Sequence, residues 1–160
     1  MGLVDEAIAA LGDRAQYTLD PQIKAEISFE LAKCYIVQGD LELAHRDLAE
    51  IIMLVEPGPL AHEIALELAD VCLKLGRSSQ AISICSQLLD LGPPTKIKQK
   101  ALNILAAAYS RQKNYDKAAQ ALLGKWDETK AQNEKRTLSS PAAAGQSLQV
   151  DKQNPIEQDS

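Results

Sequence analysis

Two histidines, and the carboxylates beside one of them, come closest in this chain to a catalytic or metal-binding pattern. His62 is followed by Glu63 and Glu67, and imidazole and carboxylate groups one helical turn apart can share a metal ion. A solvated helix face gives the same pattern, and the other histidine, His45, lies in a different predicted helix. The sequence has no HExxH motif, no glycine-rich phosphate loop and no Ser/His/Asp arrangement. We therefore predict that the protein is not an enzyme and needs neither a cofactor nor a metal.

Three cysteines, Cys34, Cys72 and Cys85, are an odd number without CxxC spacing, so they define neither a disulfide framework nor a zinc site. We interpret them as small buried side chains in a reducing compartment, and we expect a cytoplasmic protein. Asp5 and Glu6 stand where a signal peptide would have basic residues, although a leader encoded upstream would change this expectation. No run of about 18 apolar residues is present, which excludes a membrane-spanning helix.

An internal repeat with a period of 37 residues organises the chain. Its first signature occurs three times, as Leu31-Ala32-x-x-Tyr35, Leu68-Ala69-x-x-Cys72 and Leu105-Ala106-x-x-Tyr109. A second set of residues, all alanines, keeps the same interval at Ala7, Ala44, Ala81 and Ala118. A larger apolar side chain follows each of these alanines by four residues, at Leu11, Leu48, Cys85 and Leu122. Chance does not readily give several registers with one constant interval, so we infer a structural repeat.

Each unit has apolar residues at helical rather than alternating spacing, interrupted by signals for helix ends and starts. Gly39 and Asp40 indicate the end of one helix and the N-cap of the next. The units open on Asp20-Pro21, Gly58-Pro59 and Pro93-Pro94, where proline suits a first helical turn. The repeated alanines allow the two helices of a unit to approach closely. The sequence therefore predicts an all-α helical-repeat solenoid of antiparallel helix pairs, with three full units after an N-terminal half unit.

This pattern resembles the tetratricopeptide repeat. The shared features are Leu-Ala-x-x-Tyr, then glycine, then alanine with a bulky apolar residue four positions later, then proline before the next unit. The usual unit has 34 residues, and we expect the three additional residues here to lengthen the loops between units. The resemblance implies a non-enzymatic adaptor that binds a peptide or helix of a protein partner.

Repeat period and composition divide the chain into an array and a tail. We predict a helical-repeat domain at 1–130 and a disordered polar tail at 131–160, which lacks periodicity. The predicted parts of the array are a half unit at 3–12 and full units at about 21–57, 58–93 and 94–130. The half unit matches only a second helix, so we expect either a fragment of a longer array or a helix that caps the first full unit. Lys125 stands where Ile51 and Leu88 stand in earlier units, which predicts that no further unit follows.

The resemblance also implies a binding groove, because the first helices of successive units line a concave surface in this family. The positions that would face this groove are Glu26, Phe29, Glu30, Lys33, Glu63, Leu66, Glu67, Asp70, Lys100, Asn103 and Ala107. One subclass uses Lys, Asn and Arg here to clamp a terminal carboxylate. Phe29 and Glu67 stand at matching places and only Lys100 keeps the expected type, so we predict no such clamp. We expect a basic or apolar ligand segment instead, unless these acids only keep the surface soluble.

Charge is separated along the chain. Residues 1–93 hold 6 basic and 15 acidic residues, a net charge of −9, whereas residues 94–130 hold 8 basic and 3 acidic, a net charge of +5. The overall charge of −5 and the lack of a basic groove argue against binding of nucleic acid. The alternative to an adaptor is a structural module that self-associates through the N-terminal half unit, aided by the opposite charges of the two ends.

Overall fold

A computed structural model describes residues 2–126 of the chain, and α-helices are the regular elements within them. They are α1 (Leu3–Tyr17), α2 (Pro21–Gln38), α3 (Leu41–Ile51), α4 (Pro59–Lys74), α5 (Ser78–Asp90), α6 (Thr95–Arg111) and α7 (Tyr115–Leu122). The predicted tail at 131–160, and the last residues of the predicted unit 94–130, lie outside this part of the chain.

The helices form stacked pairs. Within a unit α2 packs on α3, α4 on α5 and α6 on α7, and the turns that join them are short enough to make the partners antiparallel. Between units α3 packs on α4 and α5 on α6, while α2 also contacts α4 and α4 contacts α6. The helix α1 has no preceding partner in the described chain and packs on α2. The predicted all-α solenoid of three pairs and a half unit is confirmed.

Helix starts follow the sequence signals in part. Pro21 and Pro59 are the first helical residues of α2 and α4, and the Asp20 side chain accepts the backbone N–H of Gln22 at 2.9 Å. Asp40 lies at the N-cap of α3, but its side chain makes no capping hydrogen bond. Arg77 lies at the N-cap of α5 without a side-chain capping hydrogen bond, although the next residue, Ser78, is of a type preferred for capping.

The repeated alanines are the points of closest packing. Their exposed fractions, first in the first helices and then in the second, are Ala32 0%, Ala69 0%, Ala106 4%, Ala44 0%, Ala81 0% and Ala118 5%. One continuous cluster of buried side chains runs from Phe29 in α2 to Ala108 in α6. A larger side chain at these alanines would separate the helices, so small size at a constant interval is what allows the pairs to stack.

The two ends of the array differ from its middle. The first helix, predicted at 3–12, continues to Tyr17. Apolar residues with helical spacing predict an inward-facing stripe at α7, consisting of Tyr115, Ala118, Ala119, Leu122, Leu123 and Trp126. Most of them are instead exposed. Tyr115, Leu122 and Leu123 are 65%, 61% and 70% exposed. In α7 only Ala118 and Ala121 are buried.

Side-chain hydrogen bonds join successive units along one edge. They run from Gln38 Nε2 to Asp5 Oδ1 at 2.8 Å, from Arg77 Nη2 to both carboxylate oxygens of Glu42 at 2.9 Å, and from Gln112 Nε2 to Ser79 Oγ at 3.0 Å. The three acceptors lie 37 residues apart, so this polar bridge is itself part of the repeat. All of these groups are exposed, and each bond adds little to stability.

The turn within each pair supplies a stability prediction. Gly39 and Gly76 have φ of 92° and 78°, and Lys113 holds the equivalent place with φ of 60°. A left-handed conformation costs an L-residue about 1 kcal/mol that glycine avoids. We expect Lys113→Gly to raise the free energy of unfolding by about 0.5–1 kcal/mol and Gly76→Ala to lower it by about 1 kcal/mol. Urea denaturation followed by circular dichroism measures both, and a destabilised Lys113→Gly variant would contradict the argument.

Candidate functional site

The first helices bring most of the predicted binding residues onto one surface. A depression of about 420 Å³ lies between α1, α2 and α4. Glu26, Phe29 and Glu30 line it from α2 and Glu63 from α4, as the family register implied. Arg14 of α1 lines it as well, which the sequence analysis did not foresee. Three carboxylates therefore face one guanidinium here, and we call this depression the acidic groove.

A second depression of about 300 Å³ lies between α4 and α6. Its lining residues are Leu66, Glu67, Asp70, Lys100, Asn103 and Ile104. Five of these six were predicted to face a common groove. The second depression is a neighbour of the acidic groove along α4, because Glu63 and Glu67 are one helical turn apart. Together the two depressions form a surface that spans three successive units.

Several charges on this surface are already paired. The Lys33 ammonium forms an ion pair with Glu30 and lies 4.8 Å from the centre of the Phe29 ring. Asp70 pairs with Lys74 at 2.7 Å. Because these pairs are partly exposed, they exchange readily for contacts with a ligand. Glu26 and Glu63 are exposed and add the charge that gives the acidic groove its sign.

The structure corrects the roles of some predicted contact residues. Phe29 and Leu66 are only 5% exposed, so they form the floor of the two depressions and do not project from it. Lys33 lines a different groove, between α1 and α2, together with Glu30. Ala107 is exposed but lines neither depression. The repeat register gave the helix on which each residue lies, but it did not give the depth of its side chain.

The thiols give no sign of catalytic chemistry. Cys72 and Cys85 are buried and Cys34 is partly buried, and all three are free. Burial raises the pKa of the Cys85 thiol from 9.0 to about 12, and burial also raises the pKa of Cys72. A neutral thiol is a poor nucleophile and a poor metal ligand. Residues 2–126 contain no group of three or more His, Cys, Asp or Glu side chains that could hold a metal ion.

Sequence analysis missed a row of exposed apolar side chains. Tyr17, Leu54 and Leu91 are 82%, 68% and 70% exposed, and they lie 37 residues apart, at or just after the C-terminal ends of α1, α3 and α5. The same 37-residue interval that relates the core positions relates these three exposed positions. Leu19 and Leu54 also line a depression of about 520 Å³ between α2 and α3.

Comparison with known proteins agrees with this fold. Residues 29–94 match the family model of the tetratricopeptide repeat. A solved structure of nearly identical TPR-like repeats, from a Podosopora anserina protein designated a kinesin light chain, superposes with a TM-score of 0.64 at 20% identity. That match covers 82% of this chain and 69% of the other, and at this identity it concerns the fold alone. No curated protein matches the chain.

The fold and the surface define a helical-repeat scaffold, and residues 29–94 within it match the tetratricopeptide repeat, as predicted. Repeats of this family are generally protein-interaction modules and typically non-enzymatic. None of the helices described in residues 2–126 is both long enough and apolar enough to cross a membrane.

Proposed function

We propose that this chain is a non-enzymatic adaptor that binds a peptide or helix of a protein partner on the surface formed by α2, α4 and α6. The observation that carries the proposal is the pair of neighbouring depressions, in which an apolar floor meets an excess of carboxylates. An apolar floor favours burial of hydrophobic side chains, and the rim selects their neighbours by charge. The preferred ligand is therefore a segment with both apolar and basic residues.

The charge of the rim makes binding dependent on salt. Glu26 and Glu63 are exposed, so their attraction for a basic ligand acts through water and is screened within about 8 Å at physiological ionic strength. Such charges mainly accelerate association and reject acidic competitors. The buried floor at Phe29 and Leu66 supplies the contribution that salt does not weaken.

A charge reversal tests the proposed surface. The probe is a fluorescein-labelled amphipathic peptide of lysine and leucine, compared with a peptide in which glutamate replaces every lysine. We expect the basic probe to bind better, and the variant Glu30→Lys with Glu67→Lys to weaken its binding about tenfold, equivalent to about 1.4 kcal/mol. Fluorescence anisotropy at two salt concentrations measures both effects.

The matched control carries the same change of net charge away from the surface. Glu6 and Asp13 are exposed on α1 and line neither depression, so Glu6→Lys with Asp13→Lys should leave the affinity for the basic probe within about twofold. Equal weakening in both double variants would show that the probe senses only the overall charge. That result would contradict the proposal that the probe binds in the acidic groove and the depression beside it.

The proposal also places the adaptor in a reducing compartment such as the cytoplasm. The free thiols of Cys34, Cys72 and Cys85 support this, because none of them forms a disulfide in the described chain. Localisation of the tagged protein by microscopy tests it.

A further inference from the structure

A groove of about 360 Å³ runs between α1 and α2 at the N-terminal end of the array. Leu3, Val4 and Ala7 line it from α1, and Lys33, Cys34 and Val37 line it from α2, with Glu30 at its rim. We call it the end groove. Its lining is mostly apolar, yet Leu3 and Val37 are 85% and 74% exposed.

The equivalent positions in later units are closed. Ala44 and Ala81 stand where Ala7 stands in the half unit, and both are 0% exposed. Val71 and Ala108 stand where Cys34 stands, and both are also 0% exposed. Ala7 and Cys34 themselves remain partly exposed. The end groove is therefore the same interface as in the interior, with one component missing.

The missing component is a first helix. In the interior, α2 packs on both α3 and α4, and α4 packs on both α5 and α6. Each first helix thus fills the groove formed by the second helix of its own unit and the first helix of the next. The groove between α1 and α2 has the same two walls, and no helix within residues 2–126 fills it.

We propose that the end groove binds an amphipathic α-helix of a protein partner, in the position that α2 and α4 occupy on the later units. The bound helix presents alanine at its centre with leucine or isoleucine beside it, because Ala32 and Ala69 are completely buried in α2 and α4. A helix of this length is marginal alone in water, so it folds as it binds. This site meets the surface formed by α2, α4 and α6 only at Glu30, which lines both the acidic groove and the end groove.

A synthetic copy of α2 is the probe. The groove that α2 fills has Leu41 and Val71 where the end groove has Val4 and Cys34, so the two are similar in size. The peptide spans residues 21–38, carries fluorescein and has Cys34→Ser, and a scrambled peptide of the same composition is its control. Mixed with the full chain, the α2 peptide should bind saturably and at least tenfold more tightly than the scrambled one. It should also slow the alkylation of the protein's Cys34 by iodoacetamide.

Two alanine variants locate the binding. Ala7→Leu puts a larger side chain into the end groove, whereas Ala10→Leu adds the same atoms at an exposed place on α1 that does not line it. We expect Ala7→Leu to weaken binding of the α2 peptide at least tenfold and Ala10→Leu to change it less than twofold. Circular dichroism establishes that both variants are folded.

Three results would overturn the proposal. The first is an α2 peptide that binds no better than the scrambled peptide, or equally to both variants. The second is a dimer of the free chain, seen by sedimentation, that Ala7→Leu abolishes, since the occupant would then be a second copy. The third is alkylation of Cys34 in the free chain as slow as that of buried Cys72, since the chain itself would then cover the groove.

Discussion

Leu48→Ala should lower the free energy of unfolding by about 2–5 kcal/mol, the range for truncation of a fully buried leucine. Leu122→Ala, the same change in the same repeat register, should lower it by less than about 1 kcal/mol. The reason is burial, since Leu48 is 0% exposed and Leu122 is 61% exposed. Leu48 belongs to the cluster that joins α2 to α6, and its truncation leaves a cavity in that cluster.

Urea denaturation of the two variants beside the wild type measures the difference. An unchanged slope of stability against urea concentration would show that both variants still unfold as the wild type does. Equal losses in the two variants would contradict the argument, because they would mean that the face of α7 bearing Leu122 is as well covered as the middle of the array. The pair is informative since the sequence pattern alone treats the two leucines as equivalent.

The periodic part of the fold could be predicted from the sequence because the same pattern of apolar and small residues recurs every 37 residues. Ala44 and Ala81 occupy the same environment, so the register that found one found the other. The helices also begin where Pro21 and Pro59 indicated. Each unit contacts mainly its neighbours, and local periodicity is therefore enough to give the stacking.

The ends could not be predicted in the same way. Ala7 and Leu122 match the repeat as well as their interior equivalents do, yet both are more exposed. Their burial depends on whether another helix packs on them, and the residue type does not predict whether such a helix is present. The end groove escaped the sequence analysis for this reason, since it is defined by the position of a helix that the described chain lacks.

The candidate binding surface was predictable to the level of the helix face. Glu26 and Glu63 line the acidic groove as the register implied, because charged side chains on the exposed face of a first helix stay in water. Phe29 and Leu66 share that face but are drawn into the floor by their apolar surface. The repeat register predicts the helix face on which a residue lies. The polarity of the side chain then determines whether it is exposed or buried.

The protein should lose stability steeply in alkali, and the Cys85 thiol is the main reason. Burial raises the pKa of Cys85 from 9.0 to about 12, and burial raises the pKa of Cys72 and of Tyr109 as well. The unfolded chain therefore releases these protons at a lower pH than the folded chain. Their contribution to stability is fully present below pH 9 and is lost as the pH rises toward 12.

The loss of stability expected from the Cys85 thiol is large enough to measure by urea denaturation at several pH values. One thiol that ionises only in the unfolded state lowers the free energy of unfolding by roughly 1 kcal/mol per pH unit. We expect urea midpoints at pH 8, 9.5 and 11 to fall progressively for the wild type. Cys85→Ala should be less stable at pH 8, because it leaves a small cavity, but its stability should fall by roughly 1 kcal/mol less per pH unit above pH 9. If the wild type and Cys85→Ala lost stability in parallel, the alkaline sensitivity would arise elsewhere, and the thiol would not be held neutral by its burial in α5, which packs on α4 and α6.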